Sequence, residues 1–439
     1  MLLLDFPPEI FQRIVQEVVL SAGICPAWQL RKVCRVFASE IYHDVLTHQP
    51  LENIVSVSGK FPYTWWPLLL RQRIKSNAAK CNELCITIMA VTEFQLENRD
   101  NTKGRPNRAG FLMLLCNMAI KLLHPHNVVR YLADGAPIRT PPLTRSVTPY
   151  GGVSLHTVEN KLAVATTFGF VASVASLLAS VEPINLLRST IFGVPLDNAV
   201  SHGRTTIVGL MAEHMEDPSA QIDSSNCEIS TIRVVFSRNI ETASRRGKTG
   251  ILRLLLEFYN GKIGPCEKND WNTWLHAAVV WGDIDTIRLI VDMPNVRNRR
   301  VLLETFHRAC EKCHADAVAL LLGTDKINLK RYPWVSTYPL QIALDIGRLD
   351  IIRTLLDAGA SADGSKDKSM DEDTPLQIAI RYEDEAAVAL LLERGADVDW
   401  CPSGDSPMSI AGLFRDKTIY NMLKSWKDRR NSTDVAPDI

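Results

Sequence analysis

Apolar residues recur along most of the chain at the three- and four-residue spacing of short helices, and the helical stretches come in pairs. Two segments show this most clearly: "YPLQIALDIGRLDIIRTLLDAGASAD", which begins at Tyr338, and "TPLQIAIRYEDEAAVALLLERGADVD", which begins at Thr374. They share Pro-Leu-Gln-Ile-Ala at a 36-residue offset, and each reaches Gly-Ala sixteen residues after that alanine. Each segment is therefore predicted to form two short antiparallel helices. Pro339 and Pro375 are expected in the first turn of the first helix, where a missing N–H is harmless.

An alanine marks the same place in the first helix of each predicted pair. The intervals between successive alanines are 34, 44, 35, 31, 34, 36 and 32 residues, and the long interval contains the turn-rich insertion "EDPSAQIDSSNCEIS". A ninth, more degenerate pair is expected upstream, around Ala119. The eight marker residues, called signature alanines below, are Ala165, Ala199, Ala243, Ala278, Ala309, Ala343, Ala379 and Ala411.

The turn between the two helices of a pair is predicted four residues after the signature alanine. Glycine, which allows a positive φ, stands there in five pairs, as Gly169, Gly203, Gly247, Gly282 and Gly347. The second helices carry leucine runs such as Leu254–Leu256, Leu320–Leu322 and Leu390–Leu392. One pair alone cannot cover such an apolar face, so these leucines are expected to be buried between neighbouring pairs.

The repeat resembles the ankyrin repeat, whose signature is T-P-L-H-x-A and whose period is about 33 residues. "TWLHAAVVWGDIDTIRLIV", from Thr273, fits the same frame. The resemblance implies an all-α fold, an ankyrin-repeat solenoid of eight to nine helix pairs. It also implies that the chain binds proteins through the exposed side of its first helices.

The first 50 residues do not follow this frame. "DFPPEIFQRIVQEVVL" predicts a helix with an apolar face of Ile10, Ile14, Val18 and Phe11, and a second helix follows a Gly/Pro break. Phe6-Pro7-x-Glu9-Ile10, followed by Leu30-Arg31-x-Val33-Cys34-Arg35-x-Phe37, resembles an F-box. That resemblance implies contacts with the adaptor subunit of a cullin-based ubiquitin ligase at Pro7, Ile10, Ile14, Val33 and Phe37. The alternative is a helical cap that shields the first repeat.

Fungal ankyrin proteins combine such an N-terminus with a repeat array, and this chain resembles them. The expected organisation is an F-box-like segment over residues 1–50, a helical connector with a polar loop over 51–110, and a repeat array over 111–425. The aromatic-rich "FPYTWWPLLLRQRIK" in the connector is expected to form a helix that joins the two parts. A disordered tail is expected over 426–439.

Composition narrows the classes of function. Lys plus Arg and Asp plus Glu both number 49, so the formal net charge is zero, which argues against a polyanion-binding protein. The start "MLLLDFPPEIF" lacks the basic region of a signal peptide, and no apolar run reaches the roughly 18 residues of a membrane span. The ten cysteines are scattered singly. We therefore expect an intracellular protein, cytoplasmic or nuclear, that binds neither membranes nor nucleic acid directly.

Two short motifs resemble chemical sites. Cys310-Glu311-Lys312-Cys313-His314 has haem-attachment spacing, and its thiols and imidazole also suggest zinc. Ala309 is a signature alanine, however, which places Cys310 on a first helix and Cys313 at the turn. Gly247-Lys248-Thr249 resembles the end of a phosphate-binding loop, but Thr242 stands where that motif requires glycine. We therefore expect no catalytic, cofactor or metal site.

The ankyrin resemblance implies that a protein partner contacts the residues two and three positions after each signature alanine. Aromatic and arginine side chains, which are frequent at binding hot spots, make this stripe the candidate site. We expect Arg245, Arg246 and Trp281 to recognise an acidic segment with an apolar anchor. The full candidate set is Phe168, His202, Arg245, Arg246, Trp281, Lys312, Arg381 and Tyr382.

Two functional hypotheses follow. In the first, a non-catalytic recognition scaffold captures a target protein and its N-terminal helices recruit the ligase adaptor. In the second, a transcription coregulator binds a DNA-binding protein through the array, and the N-terminus is only a cap. Copurification with the adaptor, or with a transcription factor, would distinguish them.

Overall fold

The structure of the 439-residue chain is a computed structural model that describes residues 7–76, 82–97, 107–134, 153–216, 226–281, 283–293, 299–324, 327, 329, 334–364, 373–402 and 404–433. The chain divides into two compact units, residues 1–239 and 240–439. Regular structure in the described residues is helical, apart from two isolated bridges, Ser154 to Thr190 and Thr190 to Gly193. None of the described helices combines the length and hydropathy required to cross a bilayer.

The first unit begins with helices α1 (Pro8–Ala22), α2 (Ile24–Leu30), α3 (Arg35–Thr47), α4 (Leu51–Ser56), α5 (Trp66–Lys75) and α6 (Glu83–Glu97). Three predicted pairs follow: α7 (Arg108–Leu123) with α8 (Pro125–Asp134), α9 (Thr157–Phe168) with α10 (Val171–Leu178), and α11 (Pro195–Ser201) with α12 (Thr205–Glu216). Helix α13 (Asn226–Arg245) begins in this unit and continues beyond residue 239.

The buried stripe of α1 differs from the prediction in all but Phe11. Phe11 packs edge-on against Phe37 of α3, with ring centroids 5.8 Å apart, and Val15 and Val19 continue this buried stripe. Because Phe11 determines the rotation of the helix, the other predicted core residues turn outward. Ile10 is exposed, and the half-buried positions are Ile14 and Val18.

An aromatic cluster joins the N-terminal helices to the residues that follow them. The rings of Phe61 and Trp65 stack with centroids 4.3 Å apart, and Trp28 meets Trp65 edge-on at 5.9 Å. Helix α5 packs against both α3 and α7. One hydrophobic core therefore extends from Phe11 to Phe192, and the predicted limits at residues 50 and 110 are not boundaries within it.

A buried polar group also links α3 to α5. The Asp44 carboxylate, 5% exposed, accepts a 2.7 Å hydrogen bond from the Gln49 side chain. The Arg73 guanidinium donates to the Gln49 carbonyl at 2.5 Å. Burial lowers the pKa of Arg73, while Asp44 and Glu52 act in the opposite direction. These bonds satisfy polar groups that would otherwise be costly to bury.

Helix α6 takes a place that the repeat pattern did not predict. It packs against both α7 and α9, and the hydroxyl of its Thr87 donates to the Leu155 carbonyl at 3.0 Å. A helix that packs on two sides needs apolar residues on more than one face. Its buried apolar residues are Leu84, Cys85, Ile88, Val91 and Phe94. The ninth pair, α7 with α8, is present, but its positive-φ residue is His124, five residues after Ala119 rather than four.

The second unit contains the last turns of α13, its partner α14, and five further helix pairs in the predicted order. Its helices are α14 (Thr249–Phe258), α15 (Lys268–Trp281), α16 (Ile284–Val291), α17 (Arg299–Glu311), α18 (Ala315–Leu322), α19 (Trp334–Asp345), α20 (Leu349–Asp357), α21 (Pro375–Arg381), α22 (Glu385–Glu393), α23 (Pro407–Leu413) and α24 (Thr418–Thr433). The first helices α15, α17, α19, α21 and α23 pack side by side. The second helices, α14 through α24 in even numbers, form the other layer. The fold is all-α and has the predicted helix-pair arrangement.

Two details of this unit, at α19 and at α24, correct the prediction. Helix α19 begins before Pro339, which therefore lies inside the helix, whereas Pro375 is at the start of α21 as expected. Thr374 caps α21, because its hydroxyl accepts from the Gln377 amide while the Gln377 side chain accepts from the Thr374 amide. Helix α24 extends to Thr433, where a disordered tail was expected from residue 426. Residues 434–439, like Gly282, lie outside the described residues.

The predicted turn position has the predicted backbone. Among the described residues, those four after a signature alanine have positive φ in six pairs, at Gly169, Gly203, Gly247, Cys313, Gly347 and Glu383. The next residue then donates its N–H to the carbonyl of the signature alanine, for example Arg348 to Ala343 at 2.8 Å and Asp384 to Ala379 at 3.0 Å. The turn geometry is thus the same whether the residue is glycine or not.

Truncation of a buried second-helix leucine should strongly destabilise the second unit. Leu355 of α20 and Leu391 of α22 are both 0% exposed. Leu355→Ala or Leu391→Ala should each lower the free energy of unfolding by about 2–5 kcal/mol, through lost burial and the remaining cavity. Chemical denaturation measures this, and a loss below about 0.5 kcal/mol would contradict the packing.

The turn residue Glu383 should gain stability from glycine. An L-residue with positive φ is strained by about 1–2 kcal/mol, and glycine offsets part of that through its larger unfolded-state entropy. Glu383→Gly should therefore raise the unfolding free energy by about 0.5–1 kcal/mol. The control is Gly347→Ala, where an added Cβ meets no atom within 4 Å, so only backbone strain should lower stability. Destabilisation by Glu383→Gly would show that its side chain contributes more than the strain costs.

Candidate partner-binding groove

The first helices of the second unit leave one face exposed. Because α15, α17, α19, α21 and α23 contact one another side by side, they present a continuous layer of helices, and residues just after each signature alanine are exposed on it. Trp281 at the end of α15 is 60% exposed, and Tyr382 after α21 is 57% exposed. Tryptophan and tyrosine are among the residue types most frequent at binding hot spots. We call this exposed face of the first helices the groove.

Two of the predicted contact residues lie in the first unit. Phe168 is half-buried and packs into the hydrophobic core, with its ring 6.3 Å from that of Phe111 and 6.0 Å from that of Phe170. His202 is exposed, and its Nδ1 lies 2.9 Å from the Asn198 carbonyl oxygen. Phe168 therefore supports the fold more than it offers a surface, while His202 remains available to a partner.

The other six predicted residues lie in the second unit, and two of their arginines already have carboxylate partners. Arg245 forms an ion pair with Glu241, one turn earlier on α13. Arg381 pairs with Asp373 at 2.7 Å, and Asp405 lies 3.9 Å away. Exposed ion pairs of this kind are weak, but a partner carboxylate would have to compete with them.

A cleft opens between the end of α13 and α15. Its volume is about 390 Å³, and it is lined by Glu241, Arg245, Asn272, Thr273, His276, Ala277 and Val280. Carboxylate, guanidinium, amide and imidazole groups thus surround one open space beside Trp281. Such a mixture suits hydrogen-bonded recognition of a peptide more than it suits an apolar small molecule.

His276 is the titratable group of this cleft. It is half-buried, and desolvation lowers its pKa from the ordinary value. The positive charge of Arg308 on α17 lowers the pKa further, while Glu304 acts in the opposite direction. The imidazole is therefore held in its neutral form, as a hydrogen-bond donor and acceptor, at neutral pH.

Sequence reasoning missed three groove residues, because it considered only the positions after the signature alanine. His276 and Arg308 precede their alanines by two and one residues, and Tyr338 precedes Ala343 by five. Tyr338 is 53% exposed, and its ring lies 6.0 Å from that of His307. A first helix is exposed along its whole length, so its earlier turns could have been included from the helical period alone.

The cysteine motif has a structural explanation. Cys310 is buried in α17, and burial raises the pKa of its thiol to about 12, which disfavours the thiolate that metals and haem chemistry require. Cys313 is the turn residue, and the His314 amide donates to the Ala309 carbonyl at 3.0 Å. The described residues contain no group of three His, Cys, Asp or Glu side chains arranged to hold a metal.

The Gly-Lys-Thr motif also belongs to the repeat. Gly247 is the turn residue of its pair. The Thr249 hydroxyl lies 3.1 Å from an Asp283 carboxylate oxygen and 3.1 Å from the Thr286 hydroxyl. It thereby links α14 to the start of α16, as a contact between successive repeats.

Comparison with known proteins identifies a known type of repeat in part of the chain. The family model described as ankyrin repeats matches residues 306–399 and 340–429. No curated protein matches the chain. The solved ankyrin repeat domain of human ASB11 is 19% identical, with 63% of this chain and 99% of that one covered and a TM-score of 0.28. That of Bcl-3, a member of the IkappaB protein family, is 18% identical, with 60% and 97% covered and a TM-score of 0.30.

With such low TM-scores the overall superpositions are poor, so the assignment depends on the family model and the repeat geometry. Residues 306–429 carry ankyrin repeats. Ankyrin repeats are scaffolds for protein–protein interaction. The groove is thus the candidate surface for a protein partner.

The pH dependence of stability should report the environment of His276. Its folded-state pKa is lowered, so the unfolded state binds a proton more readily. The contribution to stability is complete above the ordinary pKa of about 6.5 and is lost as the pH falls through it towards the folded pKa. His276→Gln, which matches Gln341 and Gln377 at the same repeat position, should not show this loss. Titration of His276 by NMR at or above pH 6.5 would contradict this environment.

Proposed function

We propose that this chain is a non-catalytic recognition subunit. The array captures a target protein, and helices α1–α3 recruit the adaptor subunit of a cullin-based ubiquitin ligase, as in the fungal ankyrin proteins it resembles. Adaptor recruitment is supported by one observation: apolar residues that the F-box resemblance assigns to the adaptor contact are exposed. Ile10 is 45% exposed and Val33 is 70% exposed.

The N-terminal helices expose more apolar surface than their own packing requires. Leu30 and Val36 are also exposed, close in sequence to Val33. Val33 lies between α2 and α3, so these side chains surround the α2–α3 turn. Burial of apolar side chains contributes about 1.5–3 kcal/mol each, which makes this surface suited to a stable protein contact.

The residues that the F-box resemblance assigns to the adaptor contact differ in their exposure. Pro7 and Ile10 are exposed and Ile14 is half-buried, so a partner can reach all three. Phe37 is only 8% exposed and packs on Phe11, so it supports the surface from inside instead of forming part of it. The F-box pattern in this chain therefore supplies both a core and an exposed face.

The cap hypothesis accounts for only one side of α1. Phe11, Val15 and Val19 bury that side in the core that extends to Phe192. A cap alone has no need of apolar residues on the neighbouring exposed face, where polar residues would improve solubility. The exposed face is the reason to favour the ligase proposal over a coregulator with a structural N-terminus.

Charge on the exposed N-terminal face should abolish adaptor binding. Ile10→Asp/Val33→Asp should weaken binding of the purified adaptor subunit at least about 100-fold, because two apolar contacts are replaced by desolvated charge. The melting temperature should stay within a few degrees of wild type. The matched control is Ile86→Asp, on an exposed residue of α6 outside the proposed surface. Isothermal titration calorimetry measures the affinities.

Phe37→Ala tests the structural role of the N-terminal helices separately from their proposed binding role. It should lower the unfolding free energy by about 3–5 kcal/mol, because Phe37 belongs to the core. Absence of adaptor binding by the folded wild-type chain would overturn the ligase proposal. Copurification of a transcription factor in its place would favour the coregulator.

A further inference from the structure

We infer that the groove of the second unit binds an acidic protein segment through Arg308 of α17 and Lys312, the residue that follows α17. An apolar side chain of the segment packs on either side of these cations, against Trp281 of α15 and against Tyr338 of α19 with Ile346, the residue that follows α19. The inference rests on the proposed capture of a protein by the array. It assigns the acidic contact to a different pair of cations from Arg245 and Arg246.

Arg308 and Lys312 are distinguished by the ion pairs of the other charged residues along the groove. Arg308 and Lys312 are exposed, and no carboxylate among the described residues lies within ion-pair distance of either. Four other arginines near the first helices are paired within the chain: Arg245 with Glu241, Arg300 with Glu304, Arg348 with Asp350, and Arg381 with Asp373. A partner carboxylate gains most at cations that have no carboxylate to displace.

The two cations share one face of one helix. They are four residues apart on α17 and its C-terminal turn, so their side chains lie one above the other. The positive charge of Arg308 acts on His276, which lines the cleft on α15. Arg308 is therefore directed to the groove side of α17, as is Glu304, which pairs with Arg300, and the exposed Lys312 adds a second cation at the turn.

Exposed apolar side chains flank this positive surface on both neighbouring helices. On α15, Trp281 is accompanied by the exposed Val280. Tyr338 on α19 and Ile346, the residue that follows this helix, are both exposed and lie eight residues apart. Tryptophan and tyrosine contribute disproportionately to protein interfaces, so these side chains are suited to anchor a segment that crosses α17.

The spacing of the helices sets the length of the segment. Packed helices are about 10 Å apart, so α15 and α19 are separated by about 20 Å across α17. An extended chain rises about 3.3 Å per residue and covers that distance in about six residues. The segment that fits has two apolar residues about six positions apart, with aspartate or glutamate between them.

Selection from a displayed library of random 12-residue peptides tests this partner chemistry with the full chain as bait. The expected winners carry Asp or Glu between apolar residues about six positions apart. Synthetic copies should bind Arg308→Glu/Lys312→Glu at least tenfold more weakly than wild type. The matched control, Arg253→Glu/Arg288→Glu, reverses two exposed charges on second helices and should change Kd less than twofold.

The outcomes separate this inference from the proposed function. Peptides without acidic residues, or acidic peptides that bind the charge-reversed variant as well as wild type, would overturn the inference. If Trp281→Ala still weakened the binding of such peptides, capture by the groove would be supported. Only the role assigned to the two cations would then be contradicted. Failure to enrich any peptide would count against both the inference and capture of a linear segment. Adaptor binding is measured independently of all of these outcomes.

Discussion

The structure depends on one backbone hydrogen bond that recurs through the repeats. In six of the eight pairs, counted over the residues that the structure describes, the carbonyl of the signature alanine accepts the N–H of the residue five positions later, for example at 3.0 Å for Ala165, 2.9 Å for Ala199 and 3.0 Å for Ala309. This bond forms only if the intervening turn residue has a positive φ, which reverses the chain within one residue. It also requires the alanine to be small, because the first helix is packed between neighbours there. The turn, the antiparallel pair and the side-by-side stacking of successive pairs all follow from that constraint.

The same constraint separates the residues that stabilise the fold from those that can bind. Once the second helices are buried through residues such as Leu355, the first helices have only their outer face left for a partner. On that face Arg245 and Arg381 are paired within the chain, whereas Arg308 of α17 and the following Lys312 have no carboxylate within ion-pair distance among the described residues. The N-terminal helices follow a similar division, with Phe11 and Phe37 in the core and Ile10 and Val33 at the surface. In both regions the proposed contacts are therefore exposed residues that the fold does not use.

Much of the repeat array could be predicted from the sequence, because its signals are local. Alanine spacing and turn glycines report backbone geometry directly, so the register was correct even where Cys313 occupies the turn. Contacts between distant segments left no such signal. The insertion of α6 between α7 and α9, and the rotation of α1 that buries Phe11 instead of Ile10, depend on packing partners far along the chain. The groove was found only in part, since the stripe after each alanine omits the earlier turns that hold His276, Arg308 and Tyr338.

Amide hydrogen exchange across the second unit tests the recurring bond most directly. The amides of Lys248, His314, Arg348 and Asp384 donate to signature alanine carbonyls and should exchange as slowly as the helix interiors. Amides in the first turn of a second helix, such as those of Leu349 and Asp350, have no helical acceptor and should exchange far faster. Protection of all four donors, lost together on addition of denaturant, is the predicted result. Exchange of these donors at the rate of the neighbouring first-turn amides would contradict the account, because the turns would then not hold the helix pairs in register.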